Sequence, residues 1–491
     1  MTEYPILSLL VFLPAAGALA LLPLWGRHRA VRGTALAVAL AELALAASLL
    51  PAAQQAPATF FIRENLEWIP RFGIRYLLGI DGISFPLVLL TGFITVVAVS
   101  ASWRGVREKV ELHYLLLLVM ESGIVGVFLS LDLFLFYLFW EVMLIPMFLL
   151  IGIWGHGRRV YSAVKFFVYT MGGSLLMLLA ILALYLLHGA QGGGYTFSVQ
   201  DLAGTPLSPA LSALLFAAFL LAFAIKFPLF PLHTWLPDAH TDAPTAGSII
   251  LAALLLKTGA YGLIRFGYPL FPGGARTLTP LLVVLAVTGI IYASWIAFAQ
   301  TDMKRLVAYS SVGHMGFVAL GVAAWTPVAL SGAVMQMVNH GVTTAALFAM
   351  VGMLDERMHT RELERYGGVW GEAPVLASFF LLFAMASAGL PGLNNFTGEI
   401  LVLTGSFRTL PVAAMTAAAG ILLPLVYTTR LVQELLYAEP RGELRLAELS
   451  LREGVTLAAL AAAVLYLGLH PSPLLAIIRP AIALLFSGGM P

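Results

Sequence analysis

The sequence predicts an all-α, polytopic membrane protein of about fourteen transmembrane helices, with two inverted five-helix repeats and two broken helices. Of its 491 residues, 60% are apolar and 11% charged, whereas soluble domains carry about 25% charged residues. The apolar residues form blocks of about twenty, the length that crosses a hydrocarbon core of about 30 Å. Eighteen of the 27 lysines and arginines fall in alternate connections between these blocks, a bias typical of cytoplasmic loops.

Fourteen apolar blocks follow one another along the chain, separated by charge clusters and Gly/Pro clusters. They cover 5–25, 33–52, 77–102, 113–130, 133–153, 165–188, 209–231, 243–268, 279–300, 304–324, 327–353, 373–407, 411–436 and 455–470. Pro228 and Pro231 interrupt span 7, and Leu-Pro-Gly at 390–392 interrupts span 12. The apolar segment 471–491 contains several prolines and is not counted. Span 1 lacks a preceding basic region, so we expect a retained helix and not a cleaved signal peptide.

The predicted spans fall into four groups. Residues 1–112 hold spans 1–3, residues 113–268 a first repeat of spans 4–8, residues 279–437 a second repeat of spans 9–13, and residues 454–491 span 14 and a tail. Transporters often consist of two inverted halves, each with a broken helix. A shift of 173 residues places the ionisable groups of one half on those of the other: Glu141 on His314, Lys226 on Glu399 and Lys257 on Arg430.

The distribution of basic residues predicts the orientation. The odd-numbered connections hold eighteen lysines and arginines, Lys304 among them, and the even connections and termini hold seven, Arg265 among them. The remaining two, Lys226 and Lys257, lie inside spans. Odd connections are therefore expected on the cytoplasmic side of a bacterial inner membrane. Both termini are expected on the outer, periplasmic side.

Ionisable side chains at membrane depth cost several kcal/mol unless they are paired or hydrated, and they commonly mark ion or proton routes. The candidate proton path consists of Glu141, Lys226, Lys257, His314, His340 and Glu399. Secondary candidates are His233, His240, Glu121 and Arg430. For any one of them a structural salt bridge or interhelical hydrogen bond is an equal alternative, and for Glu121 we prefer it. The set as a whole, along two broken helices, indicates proton transfer.

These residue types suit proton transfer. Desolvation favours the neutral form of a buried lysine, and a nearby carboxylate favours its charged form. Movement of Glu141 relative to Lys226 would therefore make the lysine take up or release a proton. Histidines relay protons near neutral pH, and water at a helix break hydrates the freed backbone groups.

The composition also excludes several kinds of site. The chain has no cysteine, which excludes disulfides, thiolate catalysis, iron–sulfur clusters and cysteine-type zinc sites. Its formal net charge of +2 does not suggest a nucleic-acid partner. The histidines are scattered with no acid at ligand spacing, so we expect no metal in this chain. The expected surroundings are the lipid bilayer.

Five motifs resemble the antiporter-like membrane subunits of respiratory complex I, most closely the NuoM type. They read FWEVMLIPM at 139–147, KFPLFPLHTWLPDAH at 226–240, LKTGAYG at 256–262, SSVGHMG at 310–316 and LPGLNNFTGE at 390–399. The resemblance implies a role for each residue of the path: Glu141 as partner of Lys226, Lys226 as central switch, Lys257, His314 and His340 as relays, and Glu399 as gate of the second half-channel.

The same resemblance implies proton translocation driven by NADH oxidation and quinone reduction in other subunits. NADH, FMN, iron–sulfur clusters and quinone would belong to those partners. The chain would be an obligate hetero-oligomer with other membrane subunits of complex I, especially the neighbouring antiporter-like ones. Glu399 argues against the Mrp-type sodium/proton antiporter subunits, which typically carry a lysine there. A membrane-bound hydrogenase or formate hydrogenlyase subunit, a stand-alone solute transporter and a passive scaffold remain alternatives.

Overall fold

The computed structural model describes residues 5–55, 59–440 and 446–487. Thirteen helices in these ranges are long and apolar enough to cross a membrane. They are α1 Ile6–Leu24, α2 His28–Gln55, α3 Ser84–Gly105, α4 Val110–Leu129, α5 Leu133–Trp154, α6 Arg159–Gly193, α7a Pro209–Lys226, α8 Thr245–Leu270, α9 Pro272–Phe298, α10 Met303–Ala324, α11 Pro327–Met358, α13 Pro411–Tyr437 and α14 Leu451–Leu469. The fourteenth crossing, α12, is broken into Pro374–Ser387 (α12a) and Asn394–Phe407 (α12b). The predicted helical membrane fold is confirmed.

Short elements complete the described chain. They are the half-helix α7b Trp235–Asp242, the helices Val199–Leu202 and Val369–Glu372, the 3-10 turns Pro70–Phe72 and Leu363–Arg365, and the C-terminal helix α15 Ser472–Phe486. At about 1.5 Å per residue, the 15 residues of α15 are too short to span the bilayer. This helix packs on one end of the bundle, where the Phe486 ring lies 5.9 Å from the Trp325 ring.

A two-stranded sheet departs from the all-α prediction. Strands β1 Ile62–Ile69 and β2 Ile74–Ile80 pair antiparallel, and α3 begins only at Ser84. Span 3 had been expected to begin at residue 77, so its predicted start is wrong. A short apolar run cannot be assigned to strand or helix from periodicity alone. Here Gly73, at a φ of 66°, turns the chain back so that β2 pairs with β1.

The two ends of the bundle differ in charge. The hairpin end holds β1, β2 and α15, and the start of α1 joins it because Glu64 accepts the Leu7 amide at 2.7 Å. The opposite end carries the odd-numbered connections with most of the lysines and arginines, and we call it the basic end. It holds ion pairs such as Arg357–Glu453 and Lys165–Asp238. The terminal residues 1–4 and 488–491, and the segment 441–445 with two of the counted arginines, lie outside the described residues.

Both predicted helix breaks are present. α7a ends at Lys226, and the Trp235 indole donates to the Ile225 carbonyl at 2.9 Å. That bond satisfies a carbonyl at a helix end, where no further amide follows in the helix. In α12 the break contains Gly389 and Gly392, both with positive φ, a conformation that glycine adopts without steric cost.

Candidate proton-transfer site

Four predicted residues form a connected row between α8 and α12b. Lys257 Nζ lies 2.7 Å from His340 Nδ1, and His314 Nδ1 lies 2.8 Å from Glu399 Oε1. The His314 and His340 rings lie 5.6 Å apart between centroids and bring the two pairs together, with no hydrogen bond between the rings among the described residues. All four side chains are buried. Four buried ionisable side chains thus follow one another across the protein interior.

The local structure of α8 places Lys257 in this row. Wide π-helical turns at Leu251–Leu255 and Leu263–Gly267 flank the lysine, and such turns occur often at functional sites. The Lys257 ammonium also donates to the Ala252 carbonyl at 2.6 Å. Because Gly341 has no Cβ, α11 can approach the α8 backbone; a Cβ there would lie 3.0 Å from the Ala253 carbonyl oxygen.

The other end of the row is a carboxylate with two donors. Besides His314, Gln336 Nε2 donates to Glu399 Oε1 at 3.1 Å. Asn339 and Asn394 exchange reciprocal side-chain-to-backbone hydrogen bonds of 2.6 and 2.9 Å, which hold α12b against α11. The sequence reasoning missed these three amides. For Gln336 and Asn339 a signal was available, because polar residues recur in span 11 at 336, 339, 340 and 343, the spacing of one helix face.

Lys226, at the end of α7a, is held differently. Its Nζ has no hydrogen-bond partner among the described residues. It lies 5.3 Å from the centre of the Trp140 ring and 5.7 Å from that of Phe166, within the range of cation–π attraction. Two aromatic rings therefore surround a buried ammonium that no acceptor fixes in place.

Glu141 lies beside this lysine without bonding to it. The carboxylate is half-buried, and its Oε1 has no hydrogen-bond partner in the described part of the chain. Helix α5 is interrupted directly after it at Met143, because Pro146 lacks the amide that would bond four residues back. This interruption of the helix thus lies close to Glu141, the side chain that is expected to move.

The two secondary histidines lie on the α7 break. His233 is surrounded by aromatic rings, Tyr292 and Phe230 being the nearest at 5.7 and 5.8 Å. His240, on α7b, stacks on Phe348 at 4.6 Å. Within the described residues neither ring nitrogen of His240 has a hydrogen-bond partner. Its electrostatic neighbours include Lys304 and Lys257.

Two other candidates do not join the row. Glu121 is buried on α4 beside Thr95 and Glu42. Arg430 forms an ion pair of 2.7 Å with Glu434, and its side chain is 29% exposed at the basic end. The repeat shift that matched Arg430 with Lys257 therefore does not place a second cation at the membrane centre.

Two residues counted as loop cations are buried instead. Lys304 Nζ donates to the Ala243 carbonyl at 2.6 Å, directly after α7b. Arg265 NH2 donates to Asp81 Oδ2 at 2.6 Å. Counting charges in connections cannot detect this, because a cation near a helix end can be buried when a carbonyl or carboxylate pairs with it.

The fold and the row define a class: a multi-pass helical membrane protein with an interior line of buried ionisable side chains between α8 and the broken helix α12. The family described as NADH:quinone oxidoreductase/Mrp antiporter, TM, matches residues 130–423, and the chain belongs to this family. The NADH-quinone oxidoreductase subunit M of Escherichia coli K12 is 44% identical over 419 residues, which are 84% of this chain and 82% of the relative.

Further similarities cover nearly the whole length. The NADH-quinone oxidoreductase subunit M of Rhodobacter capsulatus is 41% identical over 493 residues, 97% of this chain and 96% of the relative. A chain of respiratory complex I from Thermus thermophilus with bound NADH superposes with a TM-score of 0.89 at 32% identity, covering 98% and 99% of the two chains. A chain of the Mrp complex from Dietzia sp. shares the fold, with a TM-score of 0.86 at 21% identity over 98% of each chain.

Proposed function

We propose that this chain is a proton-translocating membrane subunit of an NADH–quinone oxidoreductase, and that it carries out no redox chemistry itself. The observation that carries the proposal is the connected row of Lys257, His340, His314 and Glu399. Relatives named as subunit M of that enzyme, at 44 and 41% identity, support the assignment. The Thermus complex I chain, with the same fold along its whole length, supports membership of a hetero-oligomeric assembly.

Within this function Lys226 acts as the switch and Glu141 as its movable partner. When the carboxylate approaches, the ammonium is stabilised and holds its proton; when it withdraws, the desolvated lysine releases it. The released proton passes to Lys257, and then through the two histidines to Glu399. Aromatic contacts and the absence of a fixed acceptor at Lys226 among the described residues support a group whose charge state responds to a neighbour.

The assembly supplies the energy in this proposal. NADH, FMN, iron–sulfur clusters and quinone are bound by partner subunits, and neighbouring antiporter-like subunits contact this one within the bilayer. The bacterial inner membrane is its location, with the basic end cytoplasmic and both termini periplasmic. The start of α1 and helix α15 share the hairpin end, opposite the basic connections, which supports that orientation.

Affinity purification in mild detergent, followed by mass spectrometry and an NADH-oxidation assay, tests the assignment. Flavin and iron–sulfur subunits that oxidise NADH are the expected companions. Recovery with small membrane subunits alone would replace it by an Mrp-type cation/proton antiporter, which shares the fold. If the chain is recovered with hydrogenase subunits instead, NADH would be withdrawn as the electron donor of the assembly. In either case the proton path would be retained and the quinone withdrawn.

A further inference from the structure

One face of α8 carries a second line of polar groups that leads away from the row. Lys257, Tyr261 and Arg265 recur every four residues from the centre of α8 toward the hairpin end. At 1.5 Å per residue, Arg265 lies about 12 Å beyond Lys257 along the helix axis. If water joined these groups, the line would be a short path from the central lysine to the hairpin end, without either histidine or Glu399.

The Arg265 guanidinium is held in place at the hairpin end of this line of polar groups. NH2 donates to Asp81 Oδ2 at 2.6 Å, and Nε donates to the Tyr261 hydroxyl at 3.3 Å. The Phe60 ring covers the guanidinium at 5.2 Å. Arg265 is 3% exposed and Asp81 is fully buried. The cation is therefore fixed between the central lysine and the hairpin end.

Asp81 is fixed on its other side. Its Oδ1 accepts the amides of Ile83 and Ser84, both at 3.0 Å, where α3 begins. A carboxylate at a helix N-terminus is stabilised in its charged form. The Arg265 guanidinium keeps its positive charge, because guanidinium does not deprotonate in proteins, and the Asp81 carboxylate holds it in place.

The surface next to Arg265 leaves little room for water. A cavity of about 10 Å³, lined by Phe60, Leu131, Gln200, Arg265 and Leu485 among others, lies at the hairpin end. That volume holds about one water molecule. Arg265 NH1 has no protein partner among the residues that the structure describes. A water molecule in this cavity would lie against the positive charge of Arg265. A proton on that water would be repelled before it reached Tyr261.

We propose that the Arg265–Asp81 pair is an electrostatic barrier, which prevents protons from leaving Lys257 directly for the hairpin end and so directs them through His340 and His314 to Glu399. A fixed arginine in a narrow pore repels protons and other cations. The inference rests on the proposed function. The row contains groups that carry protons, and the Arg265–Asp81 pair is added here as a group that stops them.

Passive proton leak in the reconstituted complex tests the barrier. The double variant Arg265→Met with Asp81→Asn removes both charges, so neither is left buried alone. A pH difference is imposed across liposomes without NADH, and its decay is followed with a dye. We expect decay about tenfold faster than in the wild type, the lower end of the effect of a local charge on ion access. Adding Lys257→Met should abolish the extra leak, because the leak starts at that lysine.

Two further variants separate a barrier from a structural anchor. Arg265→Lys keeps the positive charge and should leak no more than the wild type. Arg265→Gln removes the positive charge and keeps a donor toward Asp81, so it should leak as well. Because it leaves Asp81 without its cation, the leak is measured only in complexes that retain their partner subunits. Arg276→Met, at an exposed arginine of the same end, is the matched control.

Wild-type decay in assembled Arg265→Gln or in the double variant would overturn the barrier and leave the pair as an anchor of α3 on α8. The leak is measured without NADH. If purification showed a different electron donor, the proposed function would be withdrawn, but the result of the leak measurement would still hold.

Discussion

Lys226 and Glu399 each lie next to a broken helix, but their surroundings are opposite. Lys226 is the last residue of α7a and has only aromatic rings around its ammonium. Glu399 lies inside α12b and accepts hydrogen bonds from His314 and Gln336. A buried charge without a fixed acceptor is sensitive to any movement of a neighbouring charge. The first site is thus suited to switching, and the second to receiving a proton along a fixed row.

The largest effect is expected at Lys226. Lys226→Ala should lower proton pumping to about a hundredth of the wild type or less, since a positioned proton-transferring group contributes at least about that factor. Lys226→Arg should fail as well, because guanidinium keeps its proton. Pumping is measured as the pH gradient formed per NADH oxidised in inverted membrane vesicles. Assembly is checked by the recovery of partner subunits. Normal pumping in assembled Lys226→Ala would remove the switch from the mechanism.

The next effect tests the fixed row. Glu399→Gln preserves size but cannot take up the proton that His314 delivers, so pumping should fall by about tenfold, somewhat less than the roughly hundredfold loss at the low end for a positioned acid–base group. Glu399→Asp is the matched control, because it keeps the carboxylate and should retain more activity than the amide. If both variants pump equally well, the row does not end at this carboxylate.

A smaller loss is expected at Gln336. Its amide positions Glu399 and does not itself carry the proton. Gln336→Leu removes one hydrogen bond to a charged acceptor, about 1.5–3 kcal/mol, and should shift the pH optimum of pumping with a loss of a few-fold. Gln336→Glu would place a second carboxylate beside the first and should shift the optimum further. An unchanged pH profile in both variants would show that the amide only fills space.

The sequence predicted most of the spans and both breaks because each leaves a local signal, and the six path residues stood out in the same way; their role in proton transfer stays a prediction. An apolar block, a Pro-Gly interruption or a charge within a block can be recognised without knowing its neighbours. Arg265 and Lys304 were misassigned because their burial depends on partners elsewhere, Asp81 being 184 residues away from Arg265. The β-hairpin was missed for a similar reason. Strand pairing depends on the second strand, which a window over one segment does not contain.

The smallest effect is expected at Arg430, where sequence and structure disagree most. The repeat shift pairs it with Lys257, but its guanidinium bonds to Glu434 and to the Phe298 carbonyl at the basic end. An exposed ion pair contributes at most about 1 kcal/mol, so Arg430→Gln should pump within about twofold of the wild type. Lys257→Gln, measured alongside it, should lose most of its pumping. A comparable loss in both variants would mean that the two repeats use equivalent cations, and the row would then extend from Glu399 to the basic end through α13.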